Sequence, residues 1–243
     1  MKIAVFFALD AECAAWRAGH RFQSLAGADG SLFETTLGQS RVRLALIGIG
    51  ARRLDSIVTR ALSVDTDVII GAGVSGGLQD RRKVGDVLVA QQALSERDGQ
   101  TARADDRLLA LAASCGARIV ETFLTTDHII KGAARKRELG ARAEAVDMES
   151  FAILAMAAER GIPGLAVRVV GDEVDVELPL DFESAIRPDG TIRTVKLFTQ
   201  AVAHPRDWPA LLAFGQAQRR ALDALARFLD RFVADLTNRS GLS

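Results

Sequence analysis

Three short segments of this 243-residue chain carry side chains suited to acid–base work on a small polar ligand. The first is Ala8-Leu9-Asp10-Ala11-Glu12, directly after the apolar opening Ile3-Ala4-Val5-Phe6-Phe7. A carboxylate just beyond the carboxyl end of a sheet strand lies where open parallel sheets bind ligands, and can orient a water or accept its proton. The same residues also suit a helix start, with Asp10 as cap and Glu12 favourably placed at the positive end of the dipole. The second segment, Gly71-Ala72-Gly73-Val74-Ser75-Gly76-Gly77-Leu78, follows Val68-Ile69-Ile70. Its glycines let a backbone approach a phosphate or sugar closely, or simply make a turn. Neither the dinucleotide fingerprint with its acidic ribose partner nor a P-loop Gly-Lys-Ser/Thr is present. Upstream, Gly48-Ile49-Gly50-Ala51-Arg52-Arg53 is a second glycine pair, whose arginines suit either an anion or a solvated helix start. The third segment is Ala145-Val146-Asp147-Met148-Glu149-Ser150-Phe151-Ala152, followed by Leu165 to Val170 and then Gly171-Asp172, with Asp175 nearby. A Met-Glu pair offers an apolar floor and a carboxylate, which suit the face and vicinal hydroxyls of a ribose. Asp172 is placed to protonate a leaving base or, equally, to cap a turn.

The elements that must hold these groups are legible as short apolar runs at 3–7, 42–49, 68–70, 87–90 and 165–170. Most are continuous rather than alternating, as strands buried on both faces of a largely parallel sheet are. Helical patterns at 53–62, 105–114 and 148–160 lie between them, so the expected class is α/β with helices on both faces. One domain over 1–243 is expected, with a core at 1–176 and a loop plus helical extension at 177–243. Residues 177–193 hold two of the five prolines and the turn Pro188-Asp189-Gly190. From Trp208-Pro209 a helix is expected, with Leu222, Leu225, Leu229, Phe232 and Leu236 on one face and Arg220, Arg227 and Arg231 on the other.

Composition narrows the partners. With 31 Lys+Arg against 31 Asp+Glu the chain lacks the basic excess of a nucleic-acid binder. Cys13 and Cys115 cannot make a disulfide framework, and no Cys/His cluster has metal-ligand spacing. The opening lacks the features of a signal peptide, and no run approaches the ~20 apolar residues that span a bilayer, so a cytoplasmic protein is expected.

Together the three segments resemble the nucleoside phosphorylase superfamily, in particular its 5'-methylthioadenosine/S-adenosylhomocysteine nucleosidase branch and the related hopanoid-associated phosphorylases. The match runs in order from Met1 to about Asp175. It implies a three-layer α/β/α fold around a mixed, partly closed sheet, a homo-oligomer, and a purine nucleoside as ligand, with no metal or organic cofactor. Position by position, Glu12 matches the glutamate that orients the attacking water. Met148 and Glu149 match the pair under the ribose, and Asp172 matches the acid that donates a proton toward N7 of the purine. Arg168 matches an arginine supporting this region. Thr125 to Ile130 matches the base-binding segment, with Ile129 at the place of a stacking Phe and Ile130 beside it. Gly73, Val74, Ser75 and Gly76 fall in the family's Gly-Ser-Ala-Gly-Gly-Leu loop. An aspartate kept protonated for this work requires burial to raise its pKa.

Two departures bear on the nucleophile. Val74 replaces the serine whose hydroxyl helps hold phosphate, although Ser75 is adjacent, and Ile129 removes an aromatic surface. Inorganic phosphate as co-substrate is thereby weakened, and Glu12 repels a phosphate dianion approaching the same corner. Water is favoured by a small margin.

The tail resembles the hopanoid-associated branch in Leu178-Pro179, Arg187-Pro188-Asp189-Gly190 and His204-Pro205 to Trp208-Pro209, which implies adenosylhopane as substrate. Residues 187–243 hold nine basic and five acidic side chains, leaving 22 and 26 for residues 1–186. They also contain Phe198, Trp208, Phe214, Phe228 and Phe232. Such a basic, aromatic tail suits membrane-surface contact through 198–236. The alternative is that the stripe packs on its own sheet or on a partner subunit, which leaves 198–214 as the region for lipid. Two other activities fit the same motifs: a soluble methylthioadenosine/S-adenosylhomocysteine nucleosidase, and a nucleoside-binding protein without turnover.

Overall fold

The computed structural model describes residues 1–25, 30–62, 65–177, 180–203 and 205–240. Leu178-Pro179 and His204 of the tail motifs lie outside the described residues, as does the side chain of Phe198. In chain order the elements are β1 (Lys2–Phe7), α1 (Asp10–Ala18), β2 (Gln23–Ser24), β3 (Leu32–Leu37), β4 (Ser40–Leu46), a 3-10 turn (Ile49–Ala51) and α2 (Leu54–Ala61). β5 (Val68–Gly77), β6 (Val87–Ser95), β7 (Thr101–Arg103), α3 (Asp106–Ser114), β8 (Arg118–Thr125), α4 (Ala133–Leu139) and β9 (Ala145–Asp147) follow. The chain continues with α5 (Ser150–Glu159), β10 (Gly164–Asp172), α6 (Phe182–Ala185), α7 (Thr194–Ala203), a 3-10 turn (Pro205–Asp207) and α8 (Trp208–Ser240).

The ten strands of the described residues form one mixed sheet in the order β10-β6-β8-β9-β5-β1-β4-β3-β2, with β7 on β6. Because β10 also pairs with β5, the strands β5, β9, β8, β6 and β10 close into a ring, and β1, β4, β3 and β2 form an open wing. The pleat of β1 shows how the layers are assigned. Ile3, Val5 and Phe7 join a core with Trp16 of α1, Leu108 of α3 and Phe228 of α8. Ala4 and Phe6 point the other way, into a core with Ile57 of α2 and Ile153 of α5. Residues i and i+2 share a face, so a strand buried on both sides must be apolar throughout, as β1 is.

The structure differs from the sequence expectation at the glycine-rich segment, which is strand rather than loop. Gly71 to Gly76 continue β5 in parallel register with Ala166 to Asp172, and Gly76 and Gly77 also pair with Val146 and Ala145 of β9. Glycines serve here because neighbours occupy the space a side chain would take. A Cβ at Gly71 would sit 2.8 Å from Ile153 Cδ1 of α5.

The expected C-terminal helix is α8, and its apolar stripe covers the protein's own sheet. Leu225, Phe228, Leu229, Phe232, Val233 and Leu236 are buried there, while Leu222 is only partly covered. The stripe therefore has no free area for a membrane between 225 and 236. In contrast, Val195 and Val202 of α7 and Trp208 and Leu212 at the start of α8 are exposed. No helix among the described residues is long and apolar enough to cross a membrane.

Candidate active site

Glu12 sits in the first turn of α1, where the chain leaves β1. Its Oε2 accepts the N–H groups of Ala8 and Leu9 at 3.0 Å each, and Oε1 accepts that of Val74 at 2.9 Å. Asp10, expected as the cap, is instead the first residue of α1 and pairs with Arg17 at 2.8 Å; it is Glu12 whose one oxygen ties down the strand–helix junction while its carboxylate lines a cavity. Ionised, a carboxylate accepts about four hydrogen bonds, so three N–H donors leave room for one more, such as a water O–H. Burial pushes the Glu12 pKa up, and the Val74 N–H and the Arg168 charge resist that shift. Gly73 makes the arrangement possible, since a Cβ there would lie 2.5 Å from Arg168 Nη1 and 2.8 Å from Glu12 Oε1.

The start of α5 is fixed by Asp147. Its Oδ1 accepts from Thr125 Oγ1 at 2.9 Å and from the N–H groups of Glu149 and Ser150 at 3.1 Å, satisfying donors a helix start leaves open. Its Oδ2 takes the Ser150 hydroxyl and Arg168 Nε, the latter at 2.9 Å. Arg168 is buried in the middle of β10 and extends Nη1 to Glu149 Oε2 at 3.3 Å. The other oxygen of Glu149 accepts the Gly50 N–H at 2.9 Å. Burial drives the Glu149 pKa up to about 7 against the opposing charge of Arg168, and the neighbouring charges of Asp147 and Glu12 push it the same way as burial.

The turn that presents Gly50 is braced by the tail. Ile49 N–H donates to the Gly190 carbonyl at 2.9 Å, and Arg52 Nη1 donates to the Arg187 carbonyl at 2.8 Å. Arg52 thus holds the first main-chain carbonyl of the Arg187–Gly190 turn.

Asp172 closes the site at the end of β10. Burial raises its pKa, in the direction expected of a proton donor, and Lys136 pulls against that shift. Lys136 Nζ lies 2.5 Å from Asp172 Oδ2.

These groups line one cavity with about 760 Å³ of empty space, its open mouth included. Glu12, Glu149, Asp172, Met148, Val74, Ser75, Gly76, Ile129 and Ile130 all border it. Gly73 and Arg168 do not; they stand behind its wall and position Glu12 and Glu149. Ser75 borders the cavity, but its hydroxyl donates to the Val169 carbonyl at 3.4 Å. Sequence reasoning missed Lys136 and gave Asp147 no role. An Asp just ahead of an apolar helical run is the helix-start signal that could have marked Asp147. Lys136 lies in the run Ala133-Ala134-Arg135-Lys136-Arg137-Glu138, which reads as a solvated helix face.

The cavity wall is rich in acidic groups. Four carboxylates border it, the bordering lysine is paired with Asp172, and Arg168 Nη2 is sealed in the interior with no hydrogen-bond partner. When ionised, the Glu12 carboxylate favours positive charge developing on a bound ligand and opposes a phosphate dianion. No group of three or more His, Cys, Asp or Glu among the described residues is arranged to hold a metal ion.

The same architecture occurs in solved structures of low sequence identity. 5'-Methylthioadenosine/S-adenosylhomocysteine nucleosidase from Neisseria meningitidis, in complex with methylthio-immucillin-A, is 20% identical with a TM-score of 0.69, covering 96% of this chain and 99% of that one. The Helicobacter pylori enzyme of that name, with butyl-thio-DADMe-Immucillin-A, is 17% identical with a TM-score of 0.71, covering 97% and 98%. Futalosine hydrolase of Helicobacter pylori is likewise 17% identical, with a TM-score of 0.69 and the same coverage. These likenesses establish the fold as that of the nucleosidases. The family model described as the phosphorylase superfamily matches residues 2–234, nearly the whole chain, and the protein belongs to that superfamily.

Proposed function

We propose that the protein hydrolyses the N-glycosidic bond of a 5'-modified adenosine, releasing adenine. The observation that carries this reading is the grouping of Glu12, Glu149 and Asp172 around one cavity whose bordering cation is already paired. In the reaction, Glu149 and Met148 hold the ribose. As the C1'–N9 bond breaks, its electron pair passes to the purine and the ribose acquires oxocarbenium character, which the ionised Glu12 carboxylate stabilises. Asp172 gives its proton to N7, a water adds to C1', and Glu12 accepts the proton that this water loses. Asp172 has then lost one proton and Glu12 has gained one, and exchange with solvent resets both.

Phosphate as nucleophile is disfavoured by the sealed Nη2 of Arg168, the engaged Ser75 hydroxyl and the charge of Glu12. For the 5' substituent we propose a large apolar group, as in adenosylhopane. The exposed Val195, Val202, Trp208 and Leu212 support this, as an apolar surface around 198–214 for membrane or lipid contact. The alternative is a soluble methylthioadenosine/S-adenosylhomocysteine nucleosidase, the activity named for two of the structural relatives.

Incubation with 5'-methylthioadenosine and with adenosylhopane in vesicles, each with and without phosphate and followed by free adenine, separates these readings. Phosphate-independent release from the lipid substrate is expected. Fast turnover of methylthioadenosine alone would assign the soluble activity, and binding without release from either substrate would make the protein a binder.

A further inference from the structure

Lys136 is one of the most deeply buried charged side chains in the protein, with 2% of its surface exposed. Lysine is rarely buried to this extent unless its ammonium is hydrogen-bonded or paired. Its three donors are all used: Asp172 Oδ2 at 2.5 Å and the main-chain carbonyls of Glu173 and Val176 at 3.0 Å each. The two carbonyls belong to the segment that leaves β10, so the backbone itself sets where Nζ sits. Asp172 Oδ1, by contrast, has no hydrogen-bond partner among the described residues.

We infer that Lys136 is the positioning residue of the proton donor: it holds Oδ2 of Asp172, leaves Oδ1 to carry the proton, and balances the charge that appears when that proton moves to the base. The inference rests on the reading of Asp172 as the donor. Without a counter-ion, each turnover would leave a carboxylate unpaired in a buried wall, and proton donation would be opposed by the cost of that charge. The other charged groups near Asp172 cannot replace Lys136. Glu12, Asp147 and Glu149 border the same cavity with the wrong sign, His128 borders it with its Nδ1 engaged by Asp127 at 2.8 Å, and Glu173 is turned outward to Lys83 Nζ at 2.6 Å. The pairing also links α4 to β10, so the segment from Thr125 to Ile130, which runs into α4, shares an anchor with the acid.

The test compares Lys136→Gln, Lys136→Arg and Asp172→Asn with wild type, by the pH dependence of kcat and by a carbon-13 titration of the Asp172 carboxyl. The donor must be protonated, so activity falls as pH rises through its pKa; removing the lysine charge raises that pKa and moves the limb upward. Lys136→Gln should lower kcat by ~10- to 100-fold with KM changed less than about threefold, and should move both the basic limb and the Asp172 titration upward by about one pH unit or more. Lys136→Arg, which keeps the charge, should restore the titration toward wild type. An Asp172 titration unmoved in folded Lys136→Gln overturns the inference, and because it is read by NMR it does so even if turnover is too low to profile. If Asp172→Asn retains wild-type kcat, the donor assignment itself fails, a result distinct from an inert Lys136.

Discussion

Glu149→Gln is expected to destroy activity while making the fold more stable at alkaline pH. Burial lifts the Glu149 carboxyl from its ordinary 4.5 to about 7 in the folded protein. The sign follows from which state releases its proton first. Between pH 4.5 and 7 the unfolded chain has ionised this group and the native state has not, so stability is full below 4.5 and is lost as pH climbs to 7, above which the loss is constant. At 1.36 kcal/mol per pH unit, integration between pH 5 and pH 8 gives a loss of about 2–3 kcal/mol from this one group. Glutamine mimics the neutral carboxyl and does not titrate. Urea unfolding of wild type and Glu149→Gln at both pH values supplies the assay, because contributions of groups that do not act on Glu149 cancel in the difference of differences. The variant should gain about 2–3 kcal/mol relative to wild type on going from pH 5 to pH 8. A change below about 0.5 kcal/mol would show that Arg168 and the Gly50 N–H fully compensate the buried charge, and would refute the reasoning.

Other perturbations test other parts of the account. Gly73→Ala places a Cβ 2.5 Å from Arg168 Nη1 and 2.8 Å from Glu12 Oε1, so it should cost ~1–3 kcal/mol of stability and lower kcat, read by urea unfolding and adenine release. Phe232→Ala in the buried stripe of α8 should cost ~3–5 kcal/mol, whereas Leu212→Ser on the exposed turn of the same helix should change stability by less than ~0.5 kcal/mol and weaken vesicle association. Cys13 is fully buried and its thiol is pushed up to about 12, mainly by burial, so it should resist iodoacetamide at pH 8 until the protein is unfolded, as mass spectrometry of the labelled chain would record.

The parts of the molecule that were legible beforehand share a property: their signal is local. The apolar run Ile3 to Phe7 had to be a strand covered on both faces, and the alternate burial of its residues into two cores is that pattern realised. Glu12, Glu149 and Asp172 follow or end strands, where the backbone presents side chains to a crevice. The glycine-rich segment misled because glycine usually signals a turn. Here the missing side chains make space for Arg168 and Ile153, which are distant in sequence. Lys136 was illegible for the same reason: among Arg135, Arg137 and Glu138 nothing local marks the one charge that turns inward toward Asp172. Likewise the period of α8 revealed an apolar face, but its covering by β10 and α1 depends on topology.

The central claim is that water, not phosphate, takes the ribose at a site built from Glu12, Glu149 and Asp172. Its most direct test is turnover of a 5'-modified adenosine in oxygen-18 water, with and without inorganic phosphate, and mass analysis of the sugar product. The account predicts free adenine in both cases and a free ribose derivative with one oxygen-18 at C1', at a rate independent of phosphate. Formation of a ribose 1-phosphate ester, with no cleavage when phosphate is withheld, would contradict it.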